Sequence, residues 1–285
     1  MDELAGIILA AGEGIRMKSR TPKVLYCLCG KELLRYPVEL LGRVGVSRIV
    51  VVVSPANQDA VKELLGDSVE YAVQSAKTGT AGAVESAAAA LRGQAQQVIV
   101  IGGDSPLVTD ESVRSLISRH LEDSREMSIL SGIVSDSSGL GRINRDLASQ
   151  QNVLGIIEAP DDVDRLGEPV EVNSGVYCFQ ADWLWENLGQ IGASNDLERY
   201  LPNLAAIAAG QGANVAASPS NDPAEVLGIN NRVELANLED IQRRRIREHW
   251  MLEGVTIMDP SSVMIDARVK IGQDTVVLPN TMILG

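Results

Sequence analysis

Short apolar runs alternate with helix-forming segments through the first hundred residues of the chain. The apolar runs lie at residues 4–10, 48–54, 69–73 and 98–102. The segments between them favour helices by composition and apolar spacing, and they lie at residues 33–44, 57–65 and 80–91. Strands buried on both faces and separated by helices indicate parallel pairing with right-handed crossovers. The sequence therefore predicts an α/β fold with a Rossmann-like, mostly parallel sheet flanked by helices, and such sheets bind ligands beyond the carboxyl ends of their strands.

The second half of the chain begins with a looser pattern. We expect strands at 127–134 and 171–179 and a helix at 196–209. Residues 231–252 then form one long amphipathic stretch with a charged remainder. This stretch predicts a single helix that connects two parts of the chain.

From residue 257 onward the sequence repeats every six residues. The repeated positions fall in two rows, the first Ile257, Val263, Val269, Thr275 and Thr281 and the second Ile265, Ile271, Val277 and Ile283. Corner positions hold Pro260, Gly272 and Pro279. A six-residue period indicates a parallel β-helix in which each hexad forms one side of a triangular coil.

The sequence thus predicts three parts. Residues 1–230 form the α/β domain, residues 231–252 the connecting helix, and residues 253–285 an incomplete hexapeptide-repeat β-helix. A solenoid needs several stacked units to bury its faces, and this run breaks off in mid-pattern. We therefore expect the chain to be cut short of a longer parent.

Charge and composition exclude several classes of protein. With 25 basic and 38 acidic residues, the formal charge of −13 argues against nucleic-acid binding, which relies on a broad basic footprint. The start MDELAGIILAAG has no basic n-region and no apolar stretch of bilayer length, so we expect no signal peptide, no membrane anchor and no membrane binding. Three cysteines are too few and odd in number for a disulfide framework, which favours a cytoplasmic location, and only two histidines argue against a zinc site.

Positive charge is nevertheless concentrated just after the first strand, in IILAAGEGIRMKSRTPKVL. From Gly14 to Lys31 there are five Lys or Arg residues and no Asp or Glu. Met17 stands where a dinucleotide-binding fingerprint needs its third glycine, and no Gly-Lys-Ser/Thr follows for a P-loop. A strand followed by a glycine turn with available N–H groups suits a polyphosphate, with Arg16 gripping oxygens bidentately and Lys23 supplying a point charge. The alternative is a solvated surface loop.

LAAGEGIRMKSRTPKVL resembles the signature of the sugar-1-phosphate nucleotidyltransferases, L-A-A-G-x-G-T-R-M followed by P-K-x-L. The rest of the chain resembles the bifunctional N-acetylglucosamine-1-phosphate uridylyltransferase/glucosamine-1-phosphate acetyltransferase family. The motifs that carry this resemblance are, in order, VQSAKTGTAGAV (73–84), GGDSPL (102–107), GLGRI (139–143), GIIEAP (155–160), VNSGVY (172–177) and GINNR (228–232). The resemblance covers nearly all 285 residues and implies a GT-A-like nucleotidyltransferase fold, a long helix and the start of a left-handed parallel β-helix.

The resemblance also implies an activity: Mg²⁺-dependent transfer of UMP from UTP to N-acetylglucosamine-1-phosphate. The products are UDP-N-acetylglucosamine, a cell-wall peptidoglycan precursor, and pyrophosphate. The catalytic residues implied are Arg16 and Lys23. The nucleotide-binding residues implied are Leu9, Ala10, Ala11, Gly12, Gln74, Gly79, Thr80, Gly102, Gly103 and Asp104. The sugar-binding residues implied are Gly141, Glu158, Asn173 and Asn230, and the metal ligands are Asp104 and Asn230.

Several of these residues also have a purely structural explanation. Asp104 could instead be a turn residue, because Asp is typical of a turn before Ser-Pro. Gln74 could instead be a polar surface residue at the exposed end of a strand. Asn230 precedes a helix that it could cap, although Asn231 could cap it instead. The sequence departs from the family pattern at Ile15 for Thr, Gly82 for His, Gly102 for Tyr and Leu140 for Tyr, which leaves the exact sugar preference open.

Alternative functions also stay open. The chain could use another nucleotide or sugar-1-phosphate, or it could be a silent regulatory subunit that binds a nucleotide-sugar. The family's acetyl transfer and its homotrimer belong to the long β-helix. We therefore expect no acetyltransferase activity from this chain. The resemblance implies a homotrimer for the full-length parent, and the oligomeric state of this chain stays open.

Overall fold

A computed structural model of the chain describes residues 2–135, 137, 139–146, 152–158, 168–193 and 198–285. The strands are β1 Asp2–Leu9, β2 Cys27–Leu28, β3 Lys31–Glu32, β4 Arg48–Val53, β5 Glu70–Val73, β6 Ala95–Gly102, β7 Met127–Val134, β8 Arg142–Arg145, β9 Val153–Ile157, β10 Val170–Gln180, β11 Val215–Pro219, β12 Thr256–Ile257, β13 Met264–Ile265, β14 Val276–Val277 and β15 Met282–Ile283. The helices are α1 Arg35–Arg43, α2 Gln58–Leu65, α3 Gly79–Ser86, α4 Ala88–Leu91, α5 Asp110–Glu122, α6 Ala181–Asn187, α7 Leu204–Gln211 and α8 Arg232–Leu252. None of the helices in these ranges is both long and apolar enough to cross a bilayer.

Within the described ranges, nine strands form one sheet. Its main path runs β11-β7-β10-β6-β1-β4-β5, and β8 pairs with β10 and with β9. Strands β6, β1, β4 and β5 are parallel neighbours, so their carboxyl ends meet at one edge. The mostly parallel α/β sheet expected from the sequence is confirmed.

Side chains along the central strands alternate between two apolar cores. Ile7 and Val100 face one core, which α3, α4, α6 and α7 cover. Ile8 and Ile101 face the other core, which α1, α2 and α5 cover. Because both faces are buried, the strands carry nearly continuous Val and Ile rather than an alternation with polar residues.

Strand β10 is the exception to parallel pairing along the main path of the sheet, and β8 and β9 also pair antiparallel beside it. It runs antiparallel to both β6 and β7, with Tyr177 opposite Val100. The pairing with β7 shifts register between Asn173 and Val176, where Gly175 has a φ of 78°. An antiparallel strand contributes its amino-terminal residues to the edge where its neighbours end. Asn173, which pairs with Ser131 of β7, therefore lies at the same edge of the sheet as the end of β6.

Two helix predictions differ from the structure. The predicted helix at 80–91 is interrupted at Ala87, where α3 ends and α4 begins. The helix expected at 196–209 begins at Leu204, because 198–200 are extended and pair with another segment. Residues 196 and 197 of that prediction lie outside the described residues.

Helix α8 covers the stretch that the sequence predicts to be one long helix. Its N-cap is Asn231, whose Oδ1 accepts from the amides of Val233 and Glu234, both at 2.9 Å. Arg232 ties this end to the opening loop by donating to the carbonyl of Met17 and the hydroxyl of Tyr26. The start of the helix is thus anchored beside the first glycine turn.

The carboxyl-terminal segment forms very short parallel strands. Strand β12 pairs with β14, and β13 pairs with β15, so that Met264 lies beside Met282, 18 residues later. Ile257, Val263, Ile265 and Val277 are buried in one small core that also contains Ile246 of α8. The 18-residue return from β13 to β15 equals three hexads, the spacing the sequence repeat predicts for one coil, whereas Ile257 of β12 lies beside Val277 of β14, 20 residues later. A longer β-helix stays a prediction.

His120 joins α5 to two strands of the sheet. Its Nε2 lies 2.9 Å from Gln97 Oε1, and its Nδ1 lies 2.9 Å from Ser128 Oγ. Burial, with a smaller contribution from Arg125, lowers the pKa of His120 to about 4. The ring is therefore neutral in the folded protein at physiological pH.

We expect the protein to lose stability as the pH falls from about 6.5 to about 4, by on the order of 3 kcal/mol. In this window the unfolded chain binds a proton that folded His120 does not, so protonation favours unfolding. The measurement is the urea unfolding free energy as a function of pH. The control is His120→Gln, which keeps hydrogen-bonding capacity and should flatten the curve between pH 4 and 6.5. Parallel curves for the two proteins would contradict the prediction.

Candidate functional site

A cleft of about 890 Å³ lies at the edge where the parallel strands end. It is bounded by the turn after β1, the loop after β5, the end of β6 and the start of β10. It also receives the segment before α7 and the residues before α8. These segments are far apart in the sequence and meet because the sheet brings their ends to one edge.

The turn after β1 is shaped by Gly14 and Lys23. Gly14 has a φ of 61°, and a Cβ there would stand 2.7 Å from the Cβ of Lys23. Any side chain at position 14 would therefore strain the backbone and displace Lys23. A short 3-10 turn, Ile15–Met17, follows, with Met17 buried beneath it and Arg16 exposed.

The two cations expected to be catalytic each contact an oxygen expected to bind metal. Lys23 Nζ forms an ion pair with Asp104 Oδ2, and both side chains are largely shielded from solvent. Arg16 donates to Asn230 Oδ1 at 2.8 Å. The structure thus brings together Arg16, Lys23, Asp104 and Asn230 from three separate parts of the chain.

The capping alternative for Asn230 is resolved. Asn231 caps α8 with its side chain, whereas the side-chain oxygen of Asn230 accepts from Arg16 across the cleft. The backbone amide of Asn230 donates to Glu234 Oε2 at 2.7 Å. Asn230 is therefore held at the helix start while its side chain points toward the opening loop.

The loop after β5 forms the next wall. Gln74 extends the sheet through its backbone amide, and its Nε2 donates to the carbonyl of Gly79 at 3.0 Å. Gly79 has a φ of 75°, and a Cβ there would lie 2.4 Å from the carbonyl oxygen of Arg199. This contact is tight because the extended segment before α7 pairs with the loop, Arg199 N donating to the Thr78 carbonyl at 3.0 Å. Thr80 Oγ1 accepts from the amide of Leu201 at 2.8 Å.

Strand β10 and the β8–β9 hairpin form the remaining wall. Asn173 N donates to the carbonyl of Gly141 at 2.8 Å, and Asn173 Nδ2 donates to the Tyr177 hydroxyl at 2.7 Å. Burial raises the pKa of Tyr177 well above its ordinary value, and the nearby Glu158 carboxylate adds to this. Tyr177 is therefore neutral and gives Asn173 a fixed acceptor. A Cβ on Gly141 would lie 3.5 Å from both carboxylate oxygens of Glu158.

All the site residues expected from the sequence line this cleft except Gly103. Gly103 is buried, and its amide donates to the carbonyl of Leu9 at 2.9 Å. A Cβ there would meet Leu9, Val24 and Leu34 at 3.1–3.2 Å. The nucleotide-binding prediction for Gly103 is therefore unsupported, because the residue packs behind the wall of the cleft.

Several residues that line the cleft were not predicted from the sequence. Glu13 and Lys77 form an ion pair of 2.7 Å across the mouth of the cleft, both exposed. Further lining residues that were not predicted are Glu198, Tyr200, Leu201 and Pro202, and Thr78 accepts from Gln74 beside the cleft. Residues 198–202 fell within a predicted helix, whereas Lys77 and Thr78 lie in the VQSAKTGTAGAV motif, for which the resemblance implied no role at these two positions.

Only part of the basic opening segment serves the cleft. Arg16 and Lys23 line it, while Lys18 and Arg20 are exposed elsewhere and Lys31 pairs with Glu39 over the Tyr36 ring. Among the described residues, three basic side chains line the cleft against the four acidic ones Glu13, Asp104, Glu158 and Glu198. A cation bound together with a polyanion would offset this local excess of negative charge.

The side-chain oxygens at the site are of the type that Mg²⁺ prefers as ligands. Asp104 offers carboxylate oxygens and Asn230 an amide oxygen, and Mg²⁺ prefers hard oxygen ligands with few from protein. No group of three or more His, Cys, Asp or Glu in the described parts of the chain is placed to hold a metal. A metal held here would thus take most of its ligands from phosphates and water.

A family model for nucleotidyl transferases matches residues 5–222, which include every strand of the large sheet from Ala5 onward. The chain therefore belongs to the nucleotidyl transferase family.

Its relatives include proteins named bifunctional protein GlmU. That of Halalkalibacterium halodurans is 39% identical over 286 residues, covering 100% of this chain and 62% of the relative. That of Exiguobacterium sibiricum is 41% identical over 280 residues, covering 98% and 62%. That of Caldanaerobacter subterraneus subsp. tengcongensis is 40% identical over 286 residues, covering 100% and 62%. The chain thus spans under two thirds of the length of these relatives.

Proposed function

We propose that the chain transfers UMP from UTP to N-acetylglucosamine-1-phosphate in a Mg²⁺-dependent reaction, giving UDP-N-acetylglucosamine and pyrophosphate. The observation that carries the proposal is the convergence of Arg16, Lys23, Asp104 and Asn230 at the sheet edge. The likeness to proteins named GlmU along the whole chain supports the sugar-1-phosphate class of acceptor.

The reaction suits a site without a general base. A phosphate oxygen of the sugar-1-phosphate is already ionised and attacks the α-phosphorus of UTP. The new P–O bond forms as the bond to the β-phosphate oxygen breaks, and pyrophosphate leaves with the electron pair. No proton moves, so catalysis depends on alignment and on stabilising negative charge as it shifts to the leaving group.

Different residues of the cleft would bind the phosphates and hold the metal. Arg16 can bind phosphate oxygens bidentately, and Lys23 supplies a compact charge close to the turn amides. Asp104 and Asn230 would hold the metal, which supplies charge neutralisation between the nucleotide and sugar phosphates when bound. In this structure Arg16 contacts the side-chain oxygen of Asn230 and Lys23 contacts the carboxylate of Asp104. Both cations therefore lie next to the proposed metal-binding oxygens, where the phosphates would bind.

The other walls fit the base and the sugar. Gln74 and the backbone of Gly79 form the proposed uracil subsite. Gly141, Glu158 and Asn173 form the proposed sugar subsite, where a carboxylate and an amide can pair with hydroxyl and N-acetyl groups. Gly102, which replaces the family's Tyr, leaves room beneath Asp104, since a Cβ there would lie 2.6 Å from Asp104 Oδ1.

The test is pyrophosphate release from a panel of nucleoside triphosphates and sugar-1-phosphates, each with Mg²⁺ and with a chelator. We expect release with UTP and N-acetylglucosamine-1-phosphate only when Mg²⁺ is present. Turnover of a different pair would replace the proposed substrates but retain the class of reaction. Tight UTP binding without turnover of any sugar phosphate would instead identify a silent binding protein.

We also propose the organisation into 1–230, 231–252 and 253–285, and that the chain alone does not transfer acetyl groups. Acetyl-CoA-dependent loss of glucosamine-1-phosphate would contradict the second part. Trimerisation stays a prediction for a longer parent chain.

A further inference from the structure

The Gln74 carboxamide is fixed by two contacts on one side. Its Nε2 donates to the carbonyl oxygen of Gly79 at 3.0 Å and to Thr78 Oγ1 at 3.2 Å. A carbonyl oxygen can only accept, so the contact with Gly79 requires the amide nitrogen, not the oxygen, at this position. Both N–H groups of Gln74 are thereby directed into the protein.

The oxygen of the same amide is left for a ligand. Gln74 lines the cleft, and no hydrogen bond from the described residues reaches its Oε1. An amide oxygen accepts and cannot donate. A base that places a ring N–H opposite, as uracil does at N3, can pair with it, whereas cytosine places an acceptor at its N3.

The Thr78 hydroxyl does not cap the helix that follows it. Thr78 occupies the N-cap position of α3, but its side chain makes no capping hydrogen bond. Threonine at this position usually accepts from an amide of the first turn. Here Oγ1 donates to the carbonyl of Ala76 at 3.4 Å and accepts from Gln74. The hydroxyl thus faces Gln74 as an acceptor.

The absence of a side chain at Gly82 makes this arrangement possible. A Cβ on Gly82 would stand 1.9 Å from Thr78 Oγ1 and 3.6 Å from Gln74 Nε2. The Thr78 side chain and any side chain at position 82 therefore compete for the same space. Thr78 occupies the space beside Gln74 that Gly82 leaves unfilled.

We propose that Thr78 is a positioning residue of the nucleobase subsite, which orients the Gln74 carboxamide so that its oxygen accepts from the ring N–H of uracil. The inference rests on the proposed function, and it assigns the preference for uridine over cytidine nucleotides to a contact between two side chains of this loop. Gly82 contributes to the same arrangement because its missing side chain leaves room for Thr78 beside Gln74.

The experiment compares Thr78→Val with Thr78→Ser. Valine keeps the shape but lacks the hydroxyl, and one net hydrogen bond corresponds to a roughly three- to tenfold change in affinity. We expect Thr78→Val to raise KM for UTP by that factor, leave kcat within twofold, and reduce the preference for UTP over CTP. Thr78→Ser should behave like the unmodified protein.

Gly82→Ala provides a second, independent variant. In the unmodified background its methyl group should displace Thr78 and reproduce the effect of Thr78→Val. In a Thr78→Ala background it should add little, because the displaced group is already absent. Additive effects of the two substitutions would contradict a shared role.

A purely structural role gives a different pattern. If Thr78→Val lowers the melting temperature but leaves KM and the UTP/CTP ratio unchanged, the proposal is wrong. Direct titration with UTP and CTP, without the sugar-phosphate acceptor, tests the role of Thr78 independently of the proposed reaction. Selective weakening of UTP binding in Thr78→Val supports the inference even if no sugar phosphate is turned over. An unmodified protein that binds UTP no better than CTP overturns it.

Discussion

Replacing Asp104 by alanine is expected to lower the rate of pyrophosphate release by on the order of a thousandfold, since holding a metal at transferring phosphates is worth several kcal/mol. Asp104 follows the end of β6, and its carboxylate forms an ion pair with Lys23 inside the cleft. The rate is measured with saturating UTP and N-acetylglucosamine-1-phosphate over a range of Mg²⁺ concentrations.

Two further variants distinguish catalysis from a structural ion pair. Asp104→Asn keeps the shape but removes the charge, and Lys23→Met removes the other half of the pair. If the pair only stabilises the fold, both variants should lower the melting temperature equally and retain activity. We instead expect Asp104→Asn to raise the Mg²⁺ requirement and Lys23→Met to reduce kcat/KM by about 10²–10³-fold.

The matched control for Lys23 is Lys77. Both lysines line the cleft and pair with a carboxylate, but the Lys77–Glu13 pair is exposed at the mouth. Exposed ion pairs contribute little, so we expect Lys77→Met to change kcat/KM by no more than about fivefold. Equal losses in Lys23→Met and Lys77→Met would show that general positive charge, rather than the position of Lys23, matters.

Replacing Gly79 by alanine is expected to reduce kcat/KM for UTP by about a hundredfold and to lower the unfolding free energy by roughly 2–4 kcal/mol. Its φ of 75° already strains any other residue, and the added Cβ would lie 2.4 Å from the Arg199 carbonyl oxygen and 2.7 Å from the Arg199 nitrogen. The loop and the segment before α7 would have to separate. Steady-state kinetics and urea unfolding measure the two effects.

Gly93→Ala is the control for the strain alone. Gly93 has a φ of 71°, close to that of Gly79, but a Cβ there would meet nothing within 4 Å. It lies before β6 and does not line the cleft. We expect a loss of about 1–2 kcal/mol in stability and unchanged kinetics. If the two variants are equally stable and equally active, the contact with Arg199 does not shape the site.

Much of the site could be predicted because its residues lie at the ends of strongly patterned strands. Leu9, Gln74 and Asp104 each follow or end an apolar run, and parallel strands bring such ends to one edge. The resemblance supplied the more distant members, Glu158, Asn173 and Asn230. Composition alone would not have associated these three with the opening turn.

Other parts depended on contacts that no local pattern encodes. Residues 198–202 have helix-compatible composition, yet α7 begins only at Leu204, because the amide of Arg199 donates to the Thr78 carbonyl and that of Leu201 to Thr80 Oγ1. Gly103 belongs to the same motif as Asp104, but close packing against Leu9 removes it from the cleft wall. In both cases tertiary hydrogen bonding or packing outweighed the local signal.

The sequence by itself determined the α/β class, the glycine turn, the long helix after Asn231 and the six-residue repeat, because apolar period, backbone freedom and capping act between near neighbours. Only the tertiary structure decided that Asn231 rather than Asn230 caps the helix, that the cations rest on the oxygens of Asp104 and Asn230, and that Thr78 fills the space beside Gly82. Each of these depends on which atoms meet when the ends of the sheet's strands converge, and that choice is made by packing in three dimensions.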